Sequence, residues 1–455
     1  MQYLNKKIAI LGLGQEALDL IDWLNFNSKD CPISLFDQKQ KFELKDELEN
    51  LPKVNLFLGK NYLKNDLSNF DIIFRSPGVH RLHPTILKAE KSGVEISSPT
   101  KLFFDLSPAK IIGVTGTKGK GTTTTLIHQI LKKSGKKSFI AGNIGKPVLK
   151  LLNKLNSSDI VCLELSSFQL QDLKKSPHLS VVLNITSEHL DVHQTTKEYR
   201  QAKVNIVAHQ EKNDFSVINA DYSVSKSFAK KTKGKVFWFS RKKKTNGSFV
   251  KNNKIILSTN KSNQLIGDTQ KLLLRGQHNW ENITAAITAS YLAGASLSAI
   301  RKTVFEFKGL EHRLELVRKL KGITFYNDSF STTPETAIAA INSFSEPITI
   351  ILGGSDKGSD FTDLGKTIIK TKNIKTLILI GQMAPKIKKA INQAGHFQGK
   401  IIWQPETMDQ MVKEALETSN SGEVVILSPA CASFDMFDNY KDRGNQFKKA
   451  VWALK

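Results

Sequence analysis

The stretch Lys110-Ile-Ile-Gly-Val114 followed by Thr115-Gly-Thr-Lys-Gly-Lys-Gly-Thr122 decides the fold of this chain. Its first five residues read as a buried strand. The next eight read as a loop, and a helix follows through about Lys133. Gly116, Gly119 and Gly121 let backbone N–H groups come close to phosphate oxygens. Lys120 can reach the terminal phosphates, and a hydroxyl after it can hold Mg²⁺. The spacing departs from the full G-x-x-x-x-G-K-[ST] pattern, with Val at position 114 and Gly121 where Ser or Thr is usual. A tight βα turn alone has no use for three glycines and two lysines in six residues. Strand, glycine-lysine loop and helix in this order predict an α/β unit that binds a nucleoside triphosphate.

Toward the N-terminus, Ile8-Ala-Ile-Leu11 reads as a strand and Gly12-Leu-Gly14-Gln-Glu-Ala17 as a glycine turn opening a helix through about Asn25. Ile33-Ser-Leu-Phe36 is a second strand, ending at Asp37. This βαβ unit carries a G-x-G-x-x-A fingerprint with an acid 25 residues on, which suits a nucleotide phosphate at a helix N-terminus. Asp71-Ile-Ile-Phe74 followed by Arg75-Ser-Pro-Gly78 repeats the strand-then-loop pattern.

Toward the C-terminus, Ile160-Val-Cys-Leu163 ends at Glu164, and Val181-Val-Leu183 ends at Asn184. Open parallel sheets place ligands at such strand ends. Glu164 is thus a candidate Mg²⁺ carboxylate, weighed against a plain surface acid. His189 lies in Ser187-Glu-His-Leu-Asp-Val-His193, after a strand and beside the phosphate loop. Tyr199 and Lys203 fall four residues apart on the next helix. Further strands are expected at 349–352, 376–380 and 423–427, with glycine or Ser-Pro loops after them. Cys431 sits among small residues with no His near it in sequence, so it reads as a small buried residue rather than a nucleophile.

The expected fold class is therefore α/β, with three domains each built on a mainly parallel sheet. These are a Rossmann-like domain over 1–98, a central P-loop domain over 99–309 and a Rossmann-like domain over 310–455. The length of 455 residues agrees, at about 150 residues per domain. Hydrophobic residues make up 40% and charged residues 24%, which excludes collagen-like and disordered chains. Three scattered cysteines exclude a disulfide framework and point to a reducing, cytoplasmic setting. No apolar run is long enough to span a membrane.

The net charge of +24 is uneven. Residues 222–267 hold twelve Lys or Arg and no Asp or Glu, with Phe228, Phe237, Trp238, Phe239 and Phe249 among them. A nucleic-acid reading would make the lysines phosphate contacts and the aromatics stacking platforms. The preferred reading is a solvated lysine-rich hairpin, with 236–239 and 254–257 as its strands and 245–248 as a turn.

At this point the residues resemble a known family. Thr115–Thr122, Asn143-Ile-Gly145, Leu163-Glu-Leu-Ser-Ser-Phe-Gln-Leu170 and Asn184-Ile-Thr-Ser-Glu-His-Leu-Asp191 are similar to the motifs of the Mur ligases. So are Gly276-Gln-His-Asn-Trp-Glu-Asn282, Glu311-His-Arg313 and Tyr326-Asn-Asp-Ser329. Ile351-Leu-Gly-Gly-Ser-Asp-Lys-Gly-Ser-Asp-Phe361, Leu427-Ser-Pro-Ala-Cys-Ala-Ser-Phe-Asp435 and Asp442-Arg-Gly-Asn445 most resemble the members of that family that add D-glutamate.

The resemblance implies an ATP-dependent amide ligase of peptidoglycan precursor synthesis, joining D-glutamate to UDP-N-acetylmuramoyl-L-alanine through an acyl phosphate. It implies that Gly116, Thr117, Lys118, Gly119, Lys120, Gly121 and Thr122 hold ATP, together with Asn279, Asn282, Arg313 and Asp328. Thr122, Glu164, His189 and Lys203 would hold two Mg²⁺ ions, with Lys203 as a carbamate. Asn143 would contact the acyl substrate or the transferring phosphate. Gly14, Gln15, Asp37, Gln38, Ser76, Pro77 and Gly78 would take the UDP part. Thr332, Lys357, Ser433, Phe434 and Tyr440 would take the amino acid. A monomer is expected, with no nucleic-acid partner, and with closure around the substrates.

Three departures stand out. Gly121 replaces a usual Ser. Phe330 stands where many relatives have Lys. Glu16 would repel a diphosphate unless it points away. The alternatives are a related ligase of the folylpolyglutamate type, a nucleic-acid-stimulated ATPase, and a non-catalytic nucleotide binder.

Overall fold

A computed structural model describes residues 6–27, 31–40, 54–186, 195–259, 262–356 and 358–455. His189 and Lys357 lie outside the described residues. The chain divides into two compact units. One comprises Met1–Thr269 with Glu281–Val304, and the other Gln270–Trp280 with Phe305–Lys455. The two N-terminal segments read from sequence, 1–98 and 99–309, both contribute to the first unit.

The first unit holds two parallel sheets. Strands β1 (Ile8–Leu11), β2 (Ile33–Asp37), β3 (Val54–Leu58), β4 (Ile72–Arg75) and β5 (Glu95–Ser97) are ordered β3-β2-β1-β4-β5. Every residue of β1, β2 and β4 is buried, and apart from Ser34, Asp37 and Arg75 these runs are apolar without alternation, as a sheet covered on both faces requires. The helix Gln15–Asn27 buries Ala17, Leu20, Ile21 and Leu24 at helical spacing.

The second sheet is ordered β11-β10-β9-β6-β8-β7, all parallel. Its strands are β6 (Lys110–Thr115), β7 (Ser138–Gly142), β8 (Ile160–Glu164), β9 (Leu179–Val182), β10 (Phe215–Asn219) and β11 (Lys235–Phe239). The chain leaves β6 for β7 and β8 on one side and returns to β9 on the other. The C-terminal end of β6 is thus the switch point where an open sheet leaves a crevice.

The basic segment departs from expectation. Residues 236–239 and 254–257 do not pair with each other. The first run lies in β11, parallel to β10 at the edge of the six-stranded sheet. The second lies in β13 (Lys254–Ser258), between β12 (Ser248–Lys251) and β14 (Asn263–Asp268) in a separate antiparallel sheet. The turn is Asn252-Asn253, with φ of +50° and +57°. Asn tolerates this left-handed backbone, which a two-residue hairpin needs. Phe228, Phe239 and Phe249 are buried, so these aromatics are core and not stacking platforms.

The second unit carries one sheet, ordered β15-β16-β20-β17-β18-β19. Its strands are β15 (Glu315–Leu320), β16 (Ile323–Asn327), β17 (Ile348–Gly353), β18 (Ile374–Ile380), β19 (Lys400–Trp403) and β20 (Val424–Leu427). All neighbours are parallel except β15 and β16. That hairpin turns at Lys321-Gly322, both at positive φ, a signal the strand-by-strand reading passed over.

A buried ion cluster joins the two sheets of the first unit. Arg75, at the end of β4, donates from Nε and Nη2 to Asp172 Oδ2 at 3.1 and 2.6 Å. Arg81 Nε donates to Asp172 Oδ1 at 3.0 Å. Arg75 also donates to the carbonyls of Val79 and Phe168, at 2.6 and 2.8 Å. Its side chain is only 1% exposed. Removing the carboxylate strands a buried guanidinium, so Asp172→Ala should destabilise the first unit by about 3–5 kcal/mol. Denaturant unfolding would measure this, and a loss below about 1 kcal/mol would show that the cluster carries little.

Candidate active site

The phosphate loop is anchored from behind. Thr117 N donates to Asn184 O at 2.8 Å. Thr117 Oγ1 accepts from Thr186 N at 2.9 Å and lies 3.2 Å from Tyr199 Oη. Lys120 Nζ folds over the loop, donating to the carbonyls of Gly116 and Thr117 at 3.1 and 2.9 Å. The helix Lys120–Lys133 starts here with Gly119 at φ +86° as its N-cap. Backbone N–H groups at a helix start and a positive dipole end suit an anion. Lys118 is exposed, while Gly121 and Thr122 are buried in the first turn.

Asn282 packs directly on this loop. A Cβ at Gly119 would meet Asn282 Oδ1 at once. Lys203 comes from the helix Thr196–Ala208 and is 2% exposed. Its Nζ donates to Thr115 Oγ1 and Gly116 O at 3.2 and 3.1 Å, and lies 4.8 Å from the Tyr199 ring centroid. The four-residue spacing of Tyr199 and Lys203 therefore aims both at the loop.

Glu164 ends β8, in register with Val114 of β6 and Gly142 of β7. Asn143 Nδ2 donates to Glu164 Oε1 at 2.9 Å, and Asn143 N donates to Glu164 O at 3.0 Å. Gly142, at φ +95°, makes this approach possible, because a side chain there would collide with Glu164 O. Asn143 and Glu164 are thus brought together, 21 residues apart in sequence.

A cleft of about 440 Å³ in the first unit collects the residues read as the UDP site. Gly14, Gln15, Asp37, Gln38, Ser76, Pro77 and Gly78 line it, with Asn143, Gly145, Lys146 and Gln169. Two of these side chains hold the walls. Asp37 Oδ2 accepts from Leu13 N at 2.7 Å, and Oδ1 from Lys39 N at 2.9 Å. Ser76 Oγ donates to Gly12 O at 2.6 Å.

The second unit gathers the remaining described residues around β16 and β20. Asp328 is buried, accepting from Leu314 N at 3.0 Å and Ser428 Oγ at 2.8 Å. Burial pushes its carboxyl up to about 6 despite these donors and the nearby Arg313. Arg313 stacks on Phe330, 3.8 Å from guanidinium carbon to ring centroid, and Phe330 meets Tyr440 edge-on at 5.0 Å. Phe330 is therefore a platform for a cation rather than a lost cation. Thr332 follows this turn, and Asn279 Nδ2 donates to Arg275 O at 2.6 Å.

Ser433 is buried, whereas Phe434 is 69% exposed. Their loop depends on Arg443, which the sequence reading quoted in a motif without giving it a role. Arg443 is fully buried and donates to the carbonyls of Ser329, Cys431 and Ala432 and to Ser329 Oγ, all at 2.9–3.1 Å. It pins the Ser329 and Cys431–Ala432 turns together. Its only sequence signal is an Arg-Gly pair opening a helix, with Gly444 leaving room for His312. The Cys431 thiol is pushed up to about 12 by burial, so it stays protonated and is no nucleophile.

Comparison with known proteins fits this geometry. The sequence profiles of the "Mur ligase MurD-like, N-terminal domain", the "Mur ligase middle domain" and the "Mur ligase, glutamate ligase domain" match residues 6–98, 114–290 and 312–431. A UDP-N-acetylmuramoylalanine–D-glutamate ligase of Acetivibrio thermocellus is 41% identical, covering 99% of this chain and 97% of that protein. One of Symbiobacterium thermophilum is 40% identical, covering 99% of each. The fold is that of a MurF ligase from Thermotoga maritima solved in complex with ADP, with a TM-score of 0.57, 17% identity, and 99% and 96% of the two chains covered.

Two outcomes are expected from the geometry. Gly119→Ala must hold an L side chain in left-handed backbone, which costs about 1–2 kcal/mol, and must also displace Asn282. Thermal denaturation should show a clear loss of stability, and nucleotide binding should weaken. A variant that melts and binds like wild type would contradict the packing. For Asp328, the folded pKa lies above the unfolded value of 3.8, at about 6. Ionisation is therefore disfavoured by folding, and stability falls as pH rises through that window. Wild type should lose about 3 kcal/mol relative to Asp328→Asn between pH 4 and 6, then level off. A flat difference across the window would contradict the burial.

Proposed function

The chain belongs to the Mur ligase family, and we propose on that premise that it joins D-glutamate to UDP-N-acetylmuramoyl-L-alanine with ATP, releasing ADP and phosphate, in peptidoglycan precursor synthesis. The observation that carries this reading is the cleft that runs from the first-sheet loops to Asn143, which touches Glu164. An acyl substrate bound by its nucleotide end in this cleft extends toward the acid at the end of β8.

The chemistry divides into two displacements. A carboxylate oxygen of the substrate attacks the γ-phosphorus of ATP. The bond from that phosphorus to the β-phosphate oxygen breaks, leaving ADP and an acyl phosphate. The amine of D-glutamate then attacks the acyl carbon, the amide bond forms, phosphate leaves and the amine loses its proton. Both meeting partners in the first displacement are anions, so positive groups must screen them. Lys120 and the loop's backbone N–H groups supply that screen, apart from the Thr117 N–H, which is bonded to Asn184 O. Asn282 keeps the loop in shape, and the family resemblance assigns Asn279, Arg313 and Asp328 to the nucleotide. The family resemblance assigns Thr332, Ser433, Phe434 and Tyr440 to the amino acid, and Lys357 by sequence alone.

Mg²⁺ fits the donors present. Thr122 offers a hydroxyl and Glu164 a carboxylate, and Mg²⁺ takes few protein oxygens and completes its shell with phosphate and water. When bound, it neutralises charge on the transferring phosphoryl group. His189 belongs to the same set by sequence. Lys203 reaches the base of the phosphate loop, and a carbamate on its nitrogen would place a negative ligand there.

The test is turnover with each component omitted. Phosphate release should require ATP, Mg²⁺, UDP-N-acetylmuramoyl-L-alanine and D-glutamate together. Equal turnover with L-glutamate and a folate, or without the UDP-sugar, would overturn the assignment. In the same assay Lys203→Ala should lose activity that short carboxylic acids partly restore. An unaffected variant would remove the carbamate role.

A further inference from the structure

The basic stretch 222–267 supplies none of the residues assigned above to ATP, UDP-sugar or amino acid. Two of its side chains nevertheless converge on one buried carboxylate, Glu281, in the first turn of the helix His278–Leu292. Arg241 Nε forms an ion pair with Glu281 Oε1 at 2.6 Å, and Tyr222 Oη donates to the same oxygen at 2.7 Å. Asn219, the last residue of β10, donates from Nδ2 to Glu281 Oε2 at 3.1 Å. Two of these donors are fixed from behind. Asn219 Oδ1 accepts from Asp221 N at 2.9 Å, which turns its amide nitrogen toward Glu281. Asp221 Oδ2 accepts from Arg241 N at 3.0 Å. Burial and Glu281 itself push the Tyr222 hydroxyl up to about 12, so it stays a donor.

Both oxygens of Glu281 are thus matched, while its neighbour in sequence faces elsewhere. Asn282 packs on Gly119 of the phosphate loop, where a Cβ would collide with its Oδ1, and it accepts from Thr123 Oγ1 at 3.4 Å. Adjacent residues on a helix point about 100° apart. One flank of the helix start therefore meets the loops after β10 and β11, and another meets the phosphate loop. The sheet order explains the span. β10 lies two places from β6 in a parallel sheet, roughly 10 Å away at the ladder spacing. That is the width of one helix. The C-terminal ends of both strands lie on one edge, so a single helix start bridges them. Glu281 and Asn282 both belong to the first unit.

We propose that Glu281 is a positioning residue for ATP: held by Arg241, Tyr222 and Asn219, it fixes the start of its helix so that Asn282 braces the phosphate loop at Gly119. The basic stretch then serves nucleotide binding through Arg241, without touching the nucleotide. This rests on the phosphate loop being the ATP site.

Glu281→Gln keeps the size of the side chain but sets an amide donor against the donors that now hold the carboxylate. The dissociation constant of ADP with Mg²⁺, from calorimetric titration, should rise about 10-fold, the scale of one lost hydrogen bond to a charged group. Arg241→Gln should weaken ADP in the same way. Its side chain is 25% exposed, so this variant carries the test if the buried change does not fold. The KM values for UDP-N-acetylmuramoyl-L-alanine and D-glutamate should hold in both. Asn282→Ala should weaken ADP by itself, and adding Arg241→Gln to it should change little more, because the effect runs through Asn282. Unmoved ADP binding in a folded Glu281→Gln or Arg241→Gln variant would overturn the proposal. Effects that add in full on the Asn282→Ala background would also overturn it, as would a lower melting temperature with all three KM values raised together, which marks a general structural role. The titration needs no acceptor substrate, so it is independent of which acid the enzyme activates. A wild type that binds no ADP overturns the reading of the phosphate loop and this proposal with it. A binding wild type with unmoved variants overturns this proposal alone.

Discussion

The proposed reaction brings two anions into bonding contact, a substrate carboxylate and the terminal phosphate of ATP. Neither approaches the other unaided, since two like charges a few ångströms apart repel more strongly as water is excluded. The first unit meets this constraint at the end of β6, where the sheet order reverses. Backbone N–H groups of the phosphate loop, Lys120 and the buried Lys203 converge there, and Glu164 stands on the adjacent strand. The loop keeps its shape because Thr117, Asn184, Thr186 and Tyr199 tie it down from behind.

Buried cations do much of the positioning elsewhere. Arg75 couples the end of β4 to Asp172 and to the carbonyl of Phe168, which belong to the segment just after Glu164. Gln169 of the same segment reaches Glu16. The cleft of the first unit and the strand end bearing Glu164 are thereby registered to each other from two sides. Arg443 works the same way in the second unit, where it gathers backbone carbonyls instead of a carboxylate. Desolvation lowers its pKa to about 10, still far above neutrality, so it remains charged.

Much of this was legible in the chain. Apolar strands buried on both faces announce themselves as continuous runs, so β1, β2, β6, β8 and β17 were placed within a residue or two. The phosphate loop was legible in its glycine and lysine spacing, and Asn143, Glu164 and Lys203 in the family motifs and their positions at strand ends and on the next helix. Pairing partners were harder. The strand at 254–257 was placed correctly but paired wrongly, because short antiparallel strands are matched by turn backbone, and Asn252-Asn253 carries a weaker signal than Asn-Gly. Arg75, Asp172, Gln169 and Arg443 stayed hidden for a different reason. A buried polar network is made by residues far apart in sequence, and an isolated Arg or Asp reads as surface until the fold closes over it. Phe330 looked like a defect in a pattern, and only its neighbours Arg313 and Tyr440 show how it packs.

The claim at the centre is that the substrate carboxylate takes the phosphoryl group directly. Carrying ¹⁸O in both oxygens of the alanyl carboxylate of UDP-N-acetylmuramoyl-L-alanine through one round of reaction tests it. Direct transfer predicts one ¹⁸O in each phosphate released and one retained in the amide carbonyl. Phosphate free of ¹⁸O, with ATP consumed and amide formed, would contradict it.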